Sequence, residues 1–403
     1  MALLLAKGED FASWRGVEEF AVSYREAAVR LASRRHPEGI AQLLELTEDL
    51  LSVVERENNS MSEGLERLTK ELSSAGEQSQ LRTLLADFYD RAYRHFGRFG
   101  SPIAMFSMTE TFLSALGDCC LRLARQQIDA PLPPLALLVM GPAGRREATR
   151  FCRVQLALVW DGEAPEALMV QLGEELVAWL RVCGISLEET ITPLNPDWRG
   201  SLDQWQTRFE AAAAKKDQRV LIELLRLADR TALAGDSAVA DSFGNLCQQY
   251  LGQRDFIANL VERCLLLSNG VGMMGSLKLE KSGPHRGGFS LLDHAFLPLA
   301  AAVAALSLMH GVNLTGTPER LRGLVRISKL DVDLAERTLH AWYCFSEHRL
   351  VLEQTAMPGL DCRDLLYLPT AALGAAESER LRLSLETVGD LQRYLQVSFG
   401  AYR

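Results

Sequence analysis

The sequence predicts a predominantly helical α+β chain, in which a small mixed sheet is flanked by an N-terminal helical region and a C-terminal helical bundle. Three observations predict it. Before residue 130 the apolar residues recur at helical or heptad spacing, with no alternating strand pattern. The proline-rich connector Ile128-Asp-Ala-Pro-Leu-Pro-Pro134 leads straight into an unbroken apolar run, Leu135 to Met140, that ends in glycine as a buried strand does. Beyond Asp241 the spacing is helical again. These marks divide the 403 residues into a helical region over 1–130, an α/β domain over 131–240 and a helical domain over 241–403. Each is near the size of an ordinary domain, roughly 100–200 residues.

In the first region a seven-residue repeat runs from Glu38 to Leu72. One position carries Ile40, Thr47, Val54, Met61 and Leu68, and the position four later carries Leu44, Leu51, Asn58, Leu65 and Leu72. Such a stripe suits a long bundle helix or a coiled-coil seam, so a homodimer through the N-terminal helices is one expectation. Ser60-Met-Ser-Glu63 has the spacing of a capping box, which favours a break into two helices after Asn58-Asn59. Further helices are expected from Leu81 to Arg98 and from Ser101-Pro102 to Gln127. In the α/β domain, Val154 to Trp160 reads as a second buried strand and Ala167 to Val182 as a helix. The last domain reads as helical, with irregular insertions at Ser268–Ser276 and Ser282–Gly288.

Composition narrows the function classes. The apolar residues make up 48% and the charged residues 24%, the balance of a folded globular chain rather than a disordered one. Acidic residues number 52 against 43 basic ones, and a net charge of −9 argues against a general nucleic-acid binder. The longest apolar run, Ala295 to Met309, is interrupted by Pro298 and Ser307 and falls short of the about 20 residues that cross a bilayer. The opening MALLLAKGEDF has no basic region ahead of its apolar patch, unlike a secretory signal, so the expected location is the cytoplasm. Eight cysteines lack any CxxC spacing and seven histidines are dispersed. No metal site is expected, His294 and His310 read as structural, and the thiols read as reduced and mostly buried.

The chemical question sits where the first strand ends. Leu137-Leu-Val-Met-Gly-Pro-Ala-Gly-Arg-Arg-Glu147 is a strand, a glycine turn and a polar stretch, followed by Arg150 and Arg153. Glycines at such a turn let backbone N–H groups approach phosphate, although an ordinary strand-to-helix turn has the same spelling. It is not a Walker loop, because the Gly-Lys-Ser/Thr ending is missing.

Here the sequence resembles a bacterial nucleotidyltransferase family related to PII-protein uridylyltransferase, whose members often carry CBS or cyclic-nucleotide-binding modules. Gly141, Gly144, Arg145 and Glu147 match its Gly-Ser-x-Gly-Arg-x-Glu element, with Pro142 replacing serine. Asn195-Pro-Asp-Trp198-Arg199, Ser201-Leu-x-x-Trp205 and Ala228-Asp229-Arg230 with Gly235-Asp236 resemble later elements. Leu291-Leu-Asp293, Thr317-Pro-Glu-Arg320-Leu321 and His348-Arg349 resemble the helical substrate-binding unit. The resemblance runs from about Leu81 to the C-terminus. It implies nucleotide-binding roles for Gly141, Gly144, Arg145 and Glu147; Arg153 joins them on its own chemistry, a guanidinium that can contact phosphate oxygens directly, beside the alternative that it only solvates the rim of a decayed site. It makes Asp229, Arg230, Lys278, Asp293, Arg320 and Arg349 candidates for a substrate cleft, each with a structural reading beside it: Asp229 with Arg230 as an ion pair, Asp293 and Arg320 as helix contacts, and Lys278 on an exposed loop.

The family's next strand carries an Asp-x-Asp pair that holds two magnesium ions. Counting from Glu147, those aspartates fall on Arg153 and Gln155. Asp331-Val-Asp333 has the right spelling but reads as a charge pair at a helix start. No catalytic residue and no metal ligand is therefore assigned. The resemblance then implies a signalling or regulatory protein on a nucleotidyltransferase scaffold, with impaired or absent transfer, a protein partner of signalling type, and a nucleoside triphosphate, if any, held without magnesium. Two other readings stay open: an active enzyme moving a nucleoside monophosphate to a protein or small acceptor, and a helical dimerisation scaffold.

Overall fold

The chain is described from a computed structural model covering residues 59–402, apart from 216–217, 273–274 and 357–361. Its contacts fall into two units that divide between Phe112 and Leu113.

The first unit contains helix α1 over 59–74, α2 (Gln78–Phe99) and the start of α3 (Pro102–Arg125). Gly100, at φ 67°, ends α2 by donating its N–H to Phe96 O, and Pro102 opens α3 where no N–H is needed. Phe88 stacks on Phe112 with centroids 4.2 Å apart. Of the expected seam, Leu68 and Leu72 are buried, whereas Met61 and Leu65 are half-buried. The positions from Ile40 to Asn58 lie outside the described residues. Asn59 and Ser60 are already helical, so the expected capping box does not start a helix at Ser60.

The second unit is built on a four-stranded sheet in the order β3-β2-β1-β4. Its strands are β1 (Leu135–Met140), β2 (Gln155–Trp160), β3 (Arg199–Ser201) and β4 (Thr231–Gly235). β1 is antiparallel to β2 and β4, and β2 is parallel to β3. Every residue of β1 is buried, which explains its unbroken apolar spelling. α4 (Glu166–Cys183) follows β2; α5 (Leu202–Lys215) and α6 (Gln218–Leu225) follow β3. A 3-10 turn, Arg226–Asp229, then leads into β4 and α7 (Ser237–Leu251). Gly235 sits at φ 100°, and a Cβ there would come within 2.4 Å of Leu135 O. Only glycine fits where β4 crosses the start of β1.

The rest of this unit is helical: α8 (Arg254–Leu266), α9 (Leu297–Met309), α10 (Thr317–Arg326), α11 (Val332–Gln354) and α12 (Ala375–Tyr402). A π-helical turn, Leu292–Phe296, runs directly into α9. The stretch Leu292–Met309 would pass for a membrane span by length and composition, but 72% of it is buried within the fold. It packs against α8, α10 and α12 as the central helix of the bundle. Asp331 accepts from the N–H groups of Asp333 and Leu334, so the Asp-Val-Asp spelling is an N-cap of α11. The two insertions are largely irregular, and the second ends in β5 (Gly288–Ser290), paired antiparallel with β6 (Tyr367–Pro369).

Seven cysteines are described, and all are buried thiols outside any disulfide. Burial pushes the Cys247 and Cys264 thiols up to about 12, away from the reactive thiolate. Thiol titration of the native protein should leave these seven unreacted, whereas unfolded protein should register eight. Rapid labelling of more than one thiol in the native state would contradict this packing.

Candidate functional site

The glycine turn is a single helical turn, Gly141–Gly144, closed at its far end. Glu147 N donates to Pro142 O at 2.8 Å and Arg146 N to Ala143 O at 3.1 Å. These two bonds make a Schellman closure, whose left-handed residue is usually glycine; here it is Arg146, at φ 63°. The geometry turns Arg145 and Glu147 inward and leaves Arg146 exposed. Gly144 lies against the backbone of Asp229, whose carbonyl oxygen would be 1.6 Å from a Cβ. Gly144 O in turn accepts from Thr231 Oγ1 at 2.8 Å. This glycine is therefore committed to packing.

The inward side chains close on one another. Arg145 donates from Nε to Glu147 Oε2 at 3.0 Å and from Nη1 to Asp229 Oδ2 at 2.7 Å. Arg320, almost fully buried, donates from Nη1 to the other Asp229 oxygen at 2.7 Å and from Nη2 to Ala228 O at 2.6 Å. Glu147 Oε1 accepts from Thr317 Oγ1 at 2.6 Å and from Trp342 Nε1 at 2.9 Å. Arg349 donates to Glu353 Oε1 at 2.8 Å, Thr149 Oγ1 at 2.6 Å, Cys152 Sγ at 3.0 Å and Glu147 O at 3.2 Å. Three guanidiniums thus face three carboxylates, which satisfies the requirement that buried charges be paired and hydrogen-bonded.

Electrostatics follow the pairing. Burial on its own would raise the Asp229 carboxyl, but the guanidiniums of Arg145 and Arg320 outweigh it and hold the group below its ordinary range. Burial would lower Arg145, and Glu147 with Asp229 overcome this and raise it. Arg349 is likewise raised despite its burial, by Cys152 and Glu353.

The expected residues therefore separate into groups. Arg145, Glu147, Asp229, Arg320 and Arg349 come together as a mostly buried charge network between the sheet and helices α10 and α11, in which Arg145 and Asp229 keep 11% and 17% of their side chains open to solvent. Asp229 and Arg230 do not pair with each other. Arg230 turns away to Leu227 O, Gly244 O and Asn313 Oδ1, because the carboxylate is already held by two other arginines. Asp293 is used locally: Ser290 Oγ donates to its Oδ2 at 2.8 Å, and its own N–H donates back to Ser290 Oγ. Lys278 is exposed on its loop. Phe296 lies under the Arg349 guanidinium at 5.9 Å, a cation–π contact. Thr317 stood in the Thr317-Pro-Glu-Arg320-Leu321 element without being singled out, and Thr149, Cys152, Trp342 and Glu353 carried no signal in the sequence beyond the i,i+4 spacing of Arg349 and Glu353.

At the mouth of the turn, β2 begins with Gln155 directly opposite Met140. Gly141 has φ 61°, and a Cβ there would come within 3.3 Å of Gln155 Oε1, so the amide packs over the glycine. That oxygen is buried and finds no hydrogen-bond donor among the described residues. Arg153, two residues earlier, is exposed.

Comparison with known proteins finds two family matches along the chain. Residues 86–219 match a family model described as "Putative nucleotidyltransferase DUF294". Residues 254–399 match the "Putative nucleotidyltransferase substrate binding domain". The chain is nucleotidyltransferase-like. The two matches together span more than two thirds of its length, in the order sheet region then helical bundle. No curated protein matches the chain. In this nucleotidyltransferase-like chain the first match begins within α2, ahead of the sheet, and the second covers α8 through most of α12. The buried charge network joins residues of the two matched regions, Arg145 and Glu147 from the first with Thr317, Arg320, Trp342 and Arg349 from the second.

Proposed function

We propose that this protein is a regulatory member of the nucleotidyltransferase-like scaffold that holds a nucleoside triphosphate without magnesium and does not transfer it. One observation carries the reading: Arg153 and Gln155 stand at the start of β2, across from the Gly141 turn, where the resembling family has its two metal-binding aspartates. Two magnesium ions call for several anionic oxygens. The groups at these positions are a guanidinium, which repels a cation, and one neutral amide oxygen. Of the two alternative acids, Asp229 has both oxygens engaged by arginines, and Glu188 stands singly beside the start of β2, its N–H donating to Val154 O at 2.9 Å. These residues do not fit the metal pair. Among the described residues, no group of three or more His, Cys, Asp or Glu side chains is arranged to hold a metal ion.

A guanidinium suits phosphate oxygens directly, and the exposed position of Arg153 leaves it within reach of solvent-borne ligand. One positive charge does not reproduce the field of two divalent ions. Affinity for ATP, UTP or GTP should therefore lie on the order of micromolar to millimolar and weaken with added salt. Calorimetric titration with each nucleotide, with and without Mg²⁺, tests this. Binding that survives EDTA and is lost in Arg153→Ala supports the reading. Binding only with Mg²⁺, or metal-dependent transfer of labelled nucleotide to the protein or to a PII-type partner, returns the chain to the active enzymes.

A further inference from the structure

A cavity of about 670 Å³ lies in the helical bundle between the loop His285–Gly288, the C-terminal end of α11 and the segment Asp364–Ala371. None of its lining residues belongs to the glycine turn or to β2. Its floor is apolar, formed by Leu352, Ala356, Leu365 and Pro369. Two opposite charges, Arg286 and Asp364, also line it.

The walls are built rather than incidental. The loop carrying Arg286 is tied down by Gly287 N donating to Glu280 O and Glu280 N to Gly288 O, both at 2.9 Å. His285 Nε2 meets Asp364 Oδ1 at 2.9 Å, and its ring lies flat on Tyr367 with centroids 3.9 Å apart. The side of the cavity around Tyr367 is electronegative. Burial and then the charges of Glu280, Asp293 and Asp364 all push the Tyr367 hydroxyl up. α11, 23 residues long, also ends at this cavity, with the partial negative charge of a helix C-terminus. That side favours an ammonium group, and Arg286 favours a carboxylate.

We propose that this cavity binds a free α-amino acid with an apolar or aromatic side chain, its ammonium at Asp364, its carboxylate at Arg286 and its side chain on the apolar floor. A ligand of either charge alone leaves one charged wall without a counter-ion, so recognition requires the zwitterion. A volume of this order is within the range of small-molecule sites, about 300–1,000 Å³. The proposal is independent of the nucleotide reading: nucleotide titration reports on Arg153, and amino-acid titration reports on Arg286 and Asp364.

The test is calorimetry on the full chain with L-leucine and L-phenylalanine. The comparison ligands are 4-methylpentanoate and 3-phenylpropanoate, which lack the amine, and 3-methylbutylamine and 2-phenylethylamine, which lack the carboxylate. At least one amino acid should bind saturably, with both of its analogues weaker by about tenfold or more, as expected when one charge pair is lost. Arg286→Ala and Asp364→Asn should each weaken amino-acid binding by a similar factor. Arg286 is exposed, so its replacement should leave the thermal midpoint of the free protein unchanged and keeps the test readable if Asp364→Asn loosens the loop. Failure of both amino acids to bind at millimolar concentration overturns the proposal, as do analogues that bind as well as the amino acids or an Arg286→Ala variant that binds normally.

Discussion

Replacing Asp229 with alanine should lower the unfolding free energy by about 3–5 kcal/mol, the range for breaking a buried ion pair by removing one partner. Among the described residues the carboxylate is the only anion bonded to Arg320, and it shares Arg145 with Glu147. Without it, two guanidiniums face each other across the space it occupied, one of them nearly inaccessible to water. About 17% of the Asp229 side chain is open to solvent, so water can enter and the loss should fall toward the lower end of that range. Asp229→Asn keeps the shape and one acceptor and should cost less. The pH dependence has a definite sign. The folded-state pKa is depressed, so the contribution is fully present above the ordinary carboxylate value and is lost as pH falls through the lower folded value. Urea unfolding at neutral pH and again at pH values below the ordinary carboxylate range would show it: the gap between wild type and Asp229→Ala should hold through mild acid and narrow only in that strongly acid window. A variant within about 1 kcal/mol of wild type at neutral pH would mean that the network relaxes around the loss, contrary to its packed geometry (about 1 kcal/mol being the centre of the range for point substitutions in general).

Gly144→Ala should be as damaging for a different reason. Its Cβ would be placed 1.6 Å from Asp229 O and 2.8 Å from Val139 O, both main-chain atoms that cannot turn aside as a side chain can. Either the turn or the 3-10 segment leading into β4 must shift, and every bond to Asp229 shifts with it. A loss of about 3 kcal/mol or more is expected, with a corresponding fall in the thermal midpoint. Gly141→Ala is the control. Its Cβ would meet only the end of the Gln155 side chain, at 3.3 Å, so the penalty should be mainly that of a left-handed alanine, about 1–2 kcal/mol. If the two substitutions prove equally mild, the close approach of the 3-10 segment to the turn is not as tight as described.

How much of this was legible in the sequence depended on the range of the interactions. β1 was legible because both its faces are covered, so all six residues are apolar. The helices from α2 to α4 were legible because their periodicity, the proline at 102 and the glycines at 100 and 184 are local marks. β3, β5 and β6 are three residues each, too short for any alternation to show, and β4 spells Thr-Ala-Leu-Ala-Gly, which has little strand preference. The site residues behaved similarly. The Gly-x-x-Gly-Arg-x-Glu spelling pointed to the right turn, but its resemblance to a phosphate cradle did not reveal that Arg145 and Glu147 face the interior. That depends on Thr317 and Trp342, 170 and 195 residues away, and no spacing rule reaches so far. Asp229 and Arg230 look like an ion pair because they are adjacent, yet their side chains leave the turn in different directions.

The three-against-three charge network also bears on modularity. Glu147 relies on Thr317 and Trp342, and Asp229 on Arg320, so a sheet region cut loose from the helices that follow would keep two carboxylates against one guanidinium, Arg145, and bring one unmatched negative charge to a newly exposed face. The helices would carry the opposite excess. The sheet region is thus not a cassette that could be exchanged while the bundle stays behind, even though separate family models match the two. Substitutions that drift on one side are constrained by side chains encoded two hundred residues later. Any signal passed through this molecule must move the joined piece as a whole or act at its rim, where Arg146, Arg150 and Arg153 are exposed.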